Sequence, residues 1–236
     1  MGVFRFKKFE VINERSAMKV GTDGVILGAA VTLPVTEKAA AATRVLDAGT
    51  GTGVVALMIA QRCENAMVIG IDIDAGAAAE ASMNFSNSPW KDRLEARLQS
   101  LQETEGQFDL IVSNPPYFDS SLENPDPGKT LARHTGTMSY RTLIDYAVEH
   151  LDEEGGLSMI LPSDRERDLL RYARMNGFYP ARILRIRTVP HKEPMRFVVE
   201  LRQGRREMEE EEVVIQEKGR YTERYTDLVR DFYLWA

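Results

Sequence analysis

Several features that identify particular classes of protein are scarce in this 236-residue chain. Its single cysteine, Cys63, excludes an internal disulfide bond. Its three histidines and Cys63 lie too far apart in the sequence to suggest a metal site. No apolar run is long enough to span a bilayer, and residues 1–8 lack the apolar segment of a signal peptide. We therefore expect a cytoplasmic protein with no metal and no membrane partner, and we expect it to be a monomer.

Positive charge is also in deficit, because 36 acidic residues outnumber 30 basic ones and the formal net charge is −6. That balance argues weakly against nucleic acid as a partner. Residues 164–206, however, have a local excess of seven positive charges, and five acids follow in residues 207–212. This distribution predicts a basic face that attracts phosphates, with Lys192 and Arg196 as its best candidates. The acidic run is expected to be a solvated turn or to protect an edge strand.

The most informative stretch is Asn114-Pro115-Pro116-Tyr117, which follows the apolar run 108–113. That run predicts a fully buried strand, and the two prolines end it because neither can donate to a sheet ladder. Asn114 is thereby held at the carboxyl end of a strand, where open α/β sheets place their ligands. An ordinary Pro-Pro turn is the alternative for an isolated motif.

The same tetrapeptide suits one kind of chemistry. The lone pair of an aromatic exocyclic amine, or of a side-chain amide, is delocalised, so the nitrogen is a poor nucleophile. The Asn114 side-chain carbonyl and the Pro115 backbone carbonyl can each accept one N–H, which orients the lone pair and stabilises positive charge on nitrogen. Tyr117 offers a face on which a planar substrate can stack. We assign catalysis to these three residues.

A glycine-rich loop follows the first predicted core strand. Asp47 leads it, and Gly49, Gly51 and Gly53 give the spacing Gly-x-Gly-x-Gly before a helix. Strand, glycine loop and helix form the layout of a nucleotide-type site. The acid would repel a pyrophosphate and suits a cationic ligand without phosphate. S-adenosylmethionine, which carries a sulfonium and an amino group, meets that requirement, and Thr50 lies in the same loop.

The second core strand, 67–72, ends in Asp72, 19 residues beyond Gly53. At about that spacing a carboxylate reaches the ribose hydroxyls of an adenosine group. We assign Asp72 and the adjacent Ile73 to the cofactor. Capping of the next helix is the alternative role, and Asp74 fits it better.

Two further positions complete the expected cofactor site. Thr22 or Asp23 could cap a helix over residues 25–31, whose N-terminus would suit an anion; plain packing of a capped helix is an equal alternative. The third strand, 94–98, ends in Gln99-Ser100 without an acid. Backbone groups, or the side chains of Gln99 and Ser100, are therefore expected to contact the adenine. Asn114 is also expected to lie next to the cofactor.

The segment 118–137 is polar, contains two prolines and two glycines, and is long for a connection without regular structure. Such loops are often functional or disordered. We interpret it as a lid or a substrate-gripping segment, with Phe118, Arg133 and His134 contacting substrate; a mobile surface loop is the alternative for most of its length. A general-base role for His134 is disfavoured, because a methylated aminopurine nitrogen loses its proton to water readily.

The order of elements predicts one α/β domain, a Rossmann-like doubly wound sheet of seven strands with the last strand antiparallel. Residues 1–43 form an N-terminal extension on the cofactor side, residues 44–206 the catalytic core, and residues 207–236 a C-terminal strand and helix. The glycine loop, Asp72 and Asn114 all fall at carboxyl ends of strands, and this coincidence carries the assignment.

With these motifs the chain resembles the class I S-adenosylmethionine-dependent methyltransferases that modify planar amines. Nearly its whole length is similar to the bacterial tRNA1(Val) (adenine-N6)-methyltransferases. The resemblance implies N6-methylation of the adenosine immediately 3′ of the anticodon, with tRNA as partner. This chain departs from related enzymes because no acidic residue follows its third predicted strand. The blocks that carry it are residues 4–7, 18–24, 88–90, 112–118, 132–134, 221–225 and 231–234.

Three rival functions share parts of this pattern. Enzymes that methylate a glutamine amide of release factors use the same tetrapeptide, but usually carry a helical N-terminal domain for which there is little sequence before Asp47. Guanine-N2 and DNA adenine methyltransferases share the core, and DNA enzymes generally need a target-recognition domain. An RNA-binding or chaperone module with a vestigial cofactor site is the rival that is not an enzyme, and the intact Asn114 motif argues against it.

Overall fold

The computed structural model describes residues 2–34, 42–116 and 138–236. Within them, strands and helices alternate through most of the chain, as the pattern of apolar runs predicts. The strands are β1 Val3–Arg5, β2 Glu10–Ile12, β3 Thr43–Ala48, β4 Ala66–Asp72, β5 Leu94–Leu98, β6 Phe108–Ser113, β7 Leu151–Pro162, β8 Phe178–Arg187, β9 Arg196–Gln203, β10 Glu209–Val214, β11 Gln216–Glu217 and β12 Arg220–Tyr221. The helices are α1 Thr22–Ala30, α2 Val54–Arg62, α3 Ala75–Ser86, α4 Tyr140–His150, α5 Glu166–Met175 and α6 Glu223–Val229.

Eight of these strands form one sheet in the order β10-β8-β9-β7-β6-β3-β4-β5. β9 is antiparallel to both of its neighbours, and the other pairs are parallel. The doubly wound order and the antiparallel seventh strand are confirmed. The predicted total of seven strands is wrong by one for this sheet, because β10 adds an eighth strand at the edge beside β8.

The acidic run lies in this additional strand, beside β8, whose arginine side chains form ion pairs with its carboxylates. The run lies in the edge strand of the sheet, so the solvated-turn alternative is wrong. The predicted basic face is reduced accordingly, since three arginines counted in it are paired with the run. The pairs are Arg182 Nε–Glu211 Oε1 at 2.7 Å, Arg185 Nε–Glu210 Oε1 at 2.7 Å and Arg187 Nε–Glu212 Oε2 at 2.8 Å.

Two apolar cores lie on opposite faces of the sheet. One packs α1, α2, α3 and the N-terminal hairpin β1–β2 against it, and the other packs α4 and α5. Burial of these apolar faces is the main favourable term in folding. None of the described helices is long and apolar enough to cross a bilayer.

Both ends of the described chain meet beside the first core. Phe6 forms an isolated antiparallel bridge with Tyr233, and the Lys7 backbone N–H donates to the Phe232 carbonyl at 2.8 Å. β1 and β2 pair antiparallel and form an N-terminal hairpin. These contacts attach the N-terminal extension to the C-terminal segment.

Candidate active site

The glycine loop follows β3 and lies at the carboxyl edge of the sheet. Gly49, Gly51 and Gly53 have φ of 71°, 56° and 82°, a region that side chains with a Cβ rarely adopt. A Cβ at Gly53 would also lie 2.4 Å from Phe85 Cε1, so packing excludes any larger residue there. The N–H groups of Gly49 and Thr50 both donate to the Ile71 carbonyl at 2.9 Å, which ties the loop to the end of β4.

Asp47 lies buried in β3 beneath this loop. Its Oδ2 accepts a hydrogen bond from Thr50 Oγ1 at 2.7 Å and one from the Ala56 N–H at 3.2 Å. Burial raises the pKa of Asp47 from 3.8 to about 7; the two hydrogen bonds oppose the rise in pKa, and the nearby Asp72 adds to it. A positive ligand above the loop would favour the ionised carboxylate.

The burial of Asp47 predicts a specific dependence of stability on pH. Between pH 4 and 7 the folded chain keeps a proton that the unfolded chain has released, so stability should fall as pH rises, by at most about 1.4 kcal/mol per pH unit. Asp47→Asn should remove this slope. Urea unfolding of both proteins across the window measures the difference. Asp92→Asn, which removes an exposed carboxylate, is the matched control, and equal slopes in wild type and Asp47→Asn would contradict the prediction.

Asp72 ends β4 beside the same loop. Its Oδ2 accepts the Gly51 N–H at 3.0 Å, and its Oδ1 accepts the Asp74 N–H at 2.9 Å. Asp74 is the residue that caps α3, accepting the Ala77 N–H at 2.7 Å, as predicted. Asp72 is therefore left at the sheet edge, and its neighbour Ile73 is 58% exposed.

Asn114 follows β6, the strand next to β3 in the sheet. Ser113, just before it, is buried and donates from Oγ to the Ala48 carbonyl at 2.7 Å, while Pro115 after it is also buried. The Asn114 side chain is held between these anchors and points across the cleft. Its Nδ2 donates to Met18 Sδ at 3.3 Å and lies 4.0 Å from the position of a Cβ at Gly24 in α1.

The start of α1 differs from the expectation. Thr22 and Asp23 were predicted caps, but the helix begins at Thr22 with Gly21 as its N-cap and without a side-chain cap hydrogen bond. Asp23 instead lies in the first turn and pairs with Arg196, Nε to Oδ2 at 3.1 Å. A carboxylate of the chain itself thus occupies the electropositive end of α1, which reduces its suitability for an external anion.

The end of β5 also has its own arrangement. Ser100 caps a short 3₁₀ helix and donates from Oγ to Glu103 Oε2 at 2.7 Å, and Gln99 Nε2 donates to the Glu103 carbonyl at 2.6 Å. Both side chains expected at the adenine are therefore engaged with Glu103. The hydrogen bonds from Ser100 lower the pKa of Glu103, an exposed carboxylate that the sequence-based interpretation overlooked.

The candidate substrate residues are only partly visible. Tyr117, Phe118, Arg133 and His134, with the whole segment 118–137, lie outside the described residues. Lys192 is exposed in the turn between β8 and β9. The Arg196 ion pair with Asp23 places the end of this turn beside the start of α1, where Gly24 lies next to Asn114.

A buried carboxylate on α3 organises the N-terminal segment and was missed in the sequence. Glu80 is fully buried and accepts backbone N–H groups of Glu14 and Arg15, each at 2.6 Å, and of Ser16 at 3.1 Å. A lone glutamate in an alanine-rich helix was the available signal. Four residues further along α3, the Asn84 side chain accepts the Ile12 N–H and donates to the Ile12 carbonyl. It also donates to the Thr52 carbonyl at 2.8 Å.

This attachment places the segment Asn13–Val20 over the glycine loop. A Cβ at Gly51 would be 3.2 Å from Ser16 Oγ, and one at Gly49 would be 3.5 Å from the Met138 methyl group. Met18 from one side and Met138 from the other therefore border the cleft next to Asn114. Sequence patterns did not single out either methionine.

The residues present fit a cationic, phosphate-free cofactor. The cleft has two carboxylates, Asp47 and Asp72, close enough for Asp72 to raise the pKa of Asp47. Within residues 2–34, 42–116 and 138–236, neither carboxylate forms an ion pair with a lysine, arginine or histidine side chain. Those same ranges contain no cluster of three His, Cys, Asp or Glu side chains arranged to hold a metal.

Comparison with known proteins agrees with this geometry. Residues 21–170 match the methyltransferase small domain family. A Bacteroides fragilis protein named tRNA1(Val) (adenine(37)-N6)-methyltransferase is 40% identical over 237 residues, covering 98% of this chain and 97% of its own. A Porphyromonas gingivalis protein of the same name is 41% identical over 250 residues, covering 98% and 94%.

A solved structure supports the fold independently. The crystal structure of a protein from Agrobacterium tumefaciens, described as a predicted O-methyltransferase, has a TM-score of 0.64 at 19% identity and covers 89% of this chain and 96% of its own. At that identity the likeness establishes the class I methyltransferase fold alone. The match along nearly the full length to relatives at about 40% identity goes further: the chain belongs to the tRNA1(Val) (adenine(37)-N6)-methyltransferase family, within the methyltransferase small domain family.

Proposed function

We propose that this protein transfers a methyl group from S-adenosylmethionine to the N6 amine of an adenosine in tRNA, at position 37 beside the anticodon of tRNA1(Val). The observation that carries the proposal is the position of Asn114. Its side chain projects from the end of β6 across a cleft between the glycine loop, Met18 and α1. Family membership supplies the substrate class.

The cofactor would lie over residues 49–53. Asp47 and Asp72 would provide negative potential, with Asp72 and Ile73 at its ribose and Gly49, Thr50, Gly51, Gly53, Ser100 and Thr22 around it. The cofactor supplies an electrophilic methyl group on a sulfonium. A cation bound there would lower the pKa of Asp47, because it would stabilise the ionised carboxylate that burial disfavours.

The chain's own residues would prepare the nucleophile. An adenine flipped out of the anticodon loop stacks on Tyr117. Asn114 Oδ1 and the Pro115 carbonyl accept its two N6–H bonds, which directs the nitrogen lone pair at the methyl group. Met18 would contribute by accepting from Asn114 Nδ2, because this contact favours one of the two orientations of the side-chain amide. When bound, the cofactor would give its methyl group to N6 and keep the electrons of the broken S–C bond on sulfur, and the extra proton on nitrogen would pass to water.

The protein would act on tRNA in the cytoplasm, as a monomer. Arg133, His134 and Phe118 are proposed to contact the substrate from the segment after the motif, with Lys192 and Arg196 at its phosphates.

The decisive test is nucleoside mass spectrometry of tRNA from a deletion strain, combined with labelled-methyl transfer by the purified protein to tRNA1(Val) transcripts. Loss of N6-methyladenosine from that tRNA alone, restored by the gene, is expected. A change confined to a glutamine of release factors would favour the amide methyltransferase. Absence of any transfer would favour an idle binding module.

Charge reversal at Lys192 predicts weaker RNA binding. Lys192→Glu should lower affinity for tRNA and reduce the slope of log K against log salt by about one or two. Lys91→Glu makes the same change in the short 3₁₀ helix just before β5, the strand at the opposite edge of the sheet, and is the control. Arg196→Glu is a less direct test, since it places a second carboxylate beside Asp23. Equal affinities for Lys192→Glu and wild type across the salt series would remove this residue from the interface.

A further inference from the structure

Both ends of the described chain contribute to a column of aromatic rings. The centroids of Tyr221 and Trp235 are 4.2 Å apart with planes at 15°, and those of Trp235 and Tyr233 are 5.1 Å apart at 23°. Phe6 continues the column at 5.9 Å from Tyr233, and Phe9 lies 4.5 Å beyond Phe6. Five near-parallel rings therefore connect the apolar core to the surface.

The two ends of this aromatic column differ sharply in exposure. Phe6, Phe9 and Tyr233 are buried, whereas Tyr221 and Trp235 are each 47% exposed. The buried rings fix the position of the outer ones, so little side-chain freedom remains to be lost when a ligand stacks there. Half-exposed rings held in this way are unusual as core residues and typical of stacking surfaces.

Tyr221 separates two surface depressions. One, of about 340 Å³, also includes Trp235, Phe4 and Thr22 among its lining residues. The other, of about 470 Å³, is formed by the hairpin β11–β12 and the start of α6, and contains Lys218 and Arg220. A planar group could thus enter beside Tyr221, while a chain attached to it continues along the hairpin.

The hairpin tip carries backbone strain. Lys218 has φ of 50° and is the single non-glycine residue with positive φ within the described ranges; Gly219 follows at 76°. Two-residue hairpin turns of this kind favour Asn or Gly at the first position. A lysine held there at an energetic cost points to a use for its charge. Within the part of the chain that the structure describes, neither Lys218 nor Arg220 forms an ion pair.

Acidic neighbours limit how much charge can contribute. Glu217 and Glu223 line the same depression as Lys218 and Arg220, so its formal charges cancel. A ligand held by electrostatic attraction alone would not be favoured at such a site. Stacking on the rings has to supply most of the binding energy, with Lys218 fixing the position of one attached anionic group.

The aromatic column stands close to the proposed methylation cleft. Thr22, which lines the smaller depression, is the first residue of α1. Two residues further along that helix, Gly24 faces Asn114 Nδ2. A nucleic acid strand with one base at Asn114 would therefore bring its neighbouring unpaired nucleotides to the column.

We propose that Tyr221 and Trp235 form a stacking platform for an unpaired base of the RNA substrate that flanks the methylated adenosine, with Lys218 contacting the phosphate next to it. The inference rests on the proposed function and extends it to a second contact with the anticodon loop. A base is favoured as occupant because it matches parallel rings and carries its own anionic linkage.

The test uses the full-length protein and synthetic anticodon stem–loop RNAs. Tyr221→Ala should weaken RNA binding about 10-fold, a value expected for one lost base–aromatic stack, with kcat at saturating RNA within about twofold of wild type. Tyr221→Phe keeps the ring and should bind as wild type does. Leu234→Ala, which truncates an exposed non-aromatic neighbour that is 62% exposed, is the matched control. Cofactor affinity measured by calorimetry should be the same in all four proteins.

A double-mutant cycle that combines Tyr221→Ala with removal of one RNA base identifies the base that stacks. Removing the base next to the target adenosine should weaken binding to wild type and abolish the difference between wild type and Tyr221→Ala. Lys218→Gly should raise the melting temperature, because the strain is relieved, while reducing the salt slope of RNA binding by about one. A Tyr221→Ala protein that binds RNA as tightly as wild type would overturn the proposal.

The outcomes separate this proposal from the proposed function. If wild type neither binds nor methylates the stem–loop, the function itself fails. If wild type methylates it and the Tyr221 variants are unaffected, only the platform fails. If sedimentation shows a wild-type dimer that Tyr221→Ala dissociates without a change in RNA affinity, the column is an interface between copies, which also overturns the platform.

Discussion

Asn114→Ala is expected to lower kcat by about 10²- to 10³-fold or more while leaving the affinity for S-adenosylmethionine nearly unchanged. The substitution removes one of two carbonyl oxygens proposed to accept hydrogen bonds from the N6 amine. It leaves the glycine loop, Asp47 and Asp72 intact, and those groups are the ones proposed to hold the cofactor. Single-turnover methyl transfer and calorimetric titration with the cofactor measure the two effects separately.

The conservative replacement sharpens this prediction. Asn114→Asp keeps an accepting oxygen but loses the Nδ2 donor that contacts Met18 Sδ, so activity should recover only in part. Met18→Leu removes the acceptor from the other side and should give an intermediate loss of kcat with normal cofactor binding. Loss of cofactor affinity in Asn114→Ala would overturn the division of roles. Full activity of that variant would remove Asn114 from the chemistry.

The second large effect is expected on stability, at Glu80. Its carboxylate accepts three backbone N–H groups from residues 14–16 inside the protein. Glu80→Ala leaves those donors without their acceptor, and removing one partner of such a buried charged group costs roughly 3–5 kcal/mol. Glu80→Gln should cost less, because one oxygen remains, although its amide would direct hydrogens at an N–H donor. Urea unfolding measures both variants.

Activity should follow from the same contact. The residues held by Glu80 lead into Ser16 and Met18, which lie over Gly51 and against Asn114. Both Glu80 variants should therefore raise KM for the cofactor at temperatures at which they remain folded. Glu64→Gln removes an exposed carboxylate and is expected to change stability by less than about 0.5 kcal/mol. Wild-type stability in Glu80→Gln would show that a carboxylate is not required there.

The number of basic residues in a segment overstates the positive charge that the segment presents at the surface. Residues 164–206 are strongly basic in sequence, and a basic face was the natural interpretation. Parallel pairing of β10 with β8 brings Glu210, Glu211 and Glu212 against three of those arginines. Arg182 is further committed to Glu200, with its Nη1 2.8 Å from Oε1. Phosphate recognition is consequently expected from a few residues, Lys192 among them, rather than from the whole segment.

Local sequence determined most elements and the principal site. β5 and β6 have the predicted bounds. β6 is an apolar run that ends where Pro115 and Pro116 follow it, because proline cannot donate to a sheet ladder. The glycines at 49, 51 and 53, the acids at 47 and 72 and the motif at 114 fall at strand ends, and parallel strands bring such ends to one edge. Resemblance to a family then supplied the substrate class.

Tertiary structure decided what depends on partners distant in sequence. Glu80 binds a segment more than 60 residues earlier in the chain. The acidic run pairs with arginines of the neighbouring strand β8, and the aromatic column contains rings from both ends of the described chain. The periodicity of apolar residues predicts which face of a helix or strand is buried. It does not predict which side chains that face will contact. Those contacts depend on how the whole sheet and its helices pack. They determine how the cleft is covered and where the proposed second RNA contact can form.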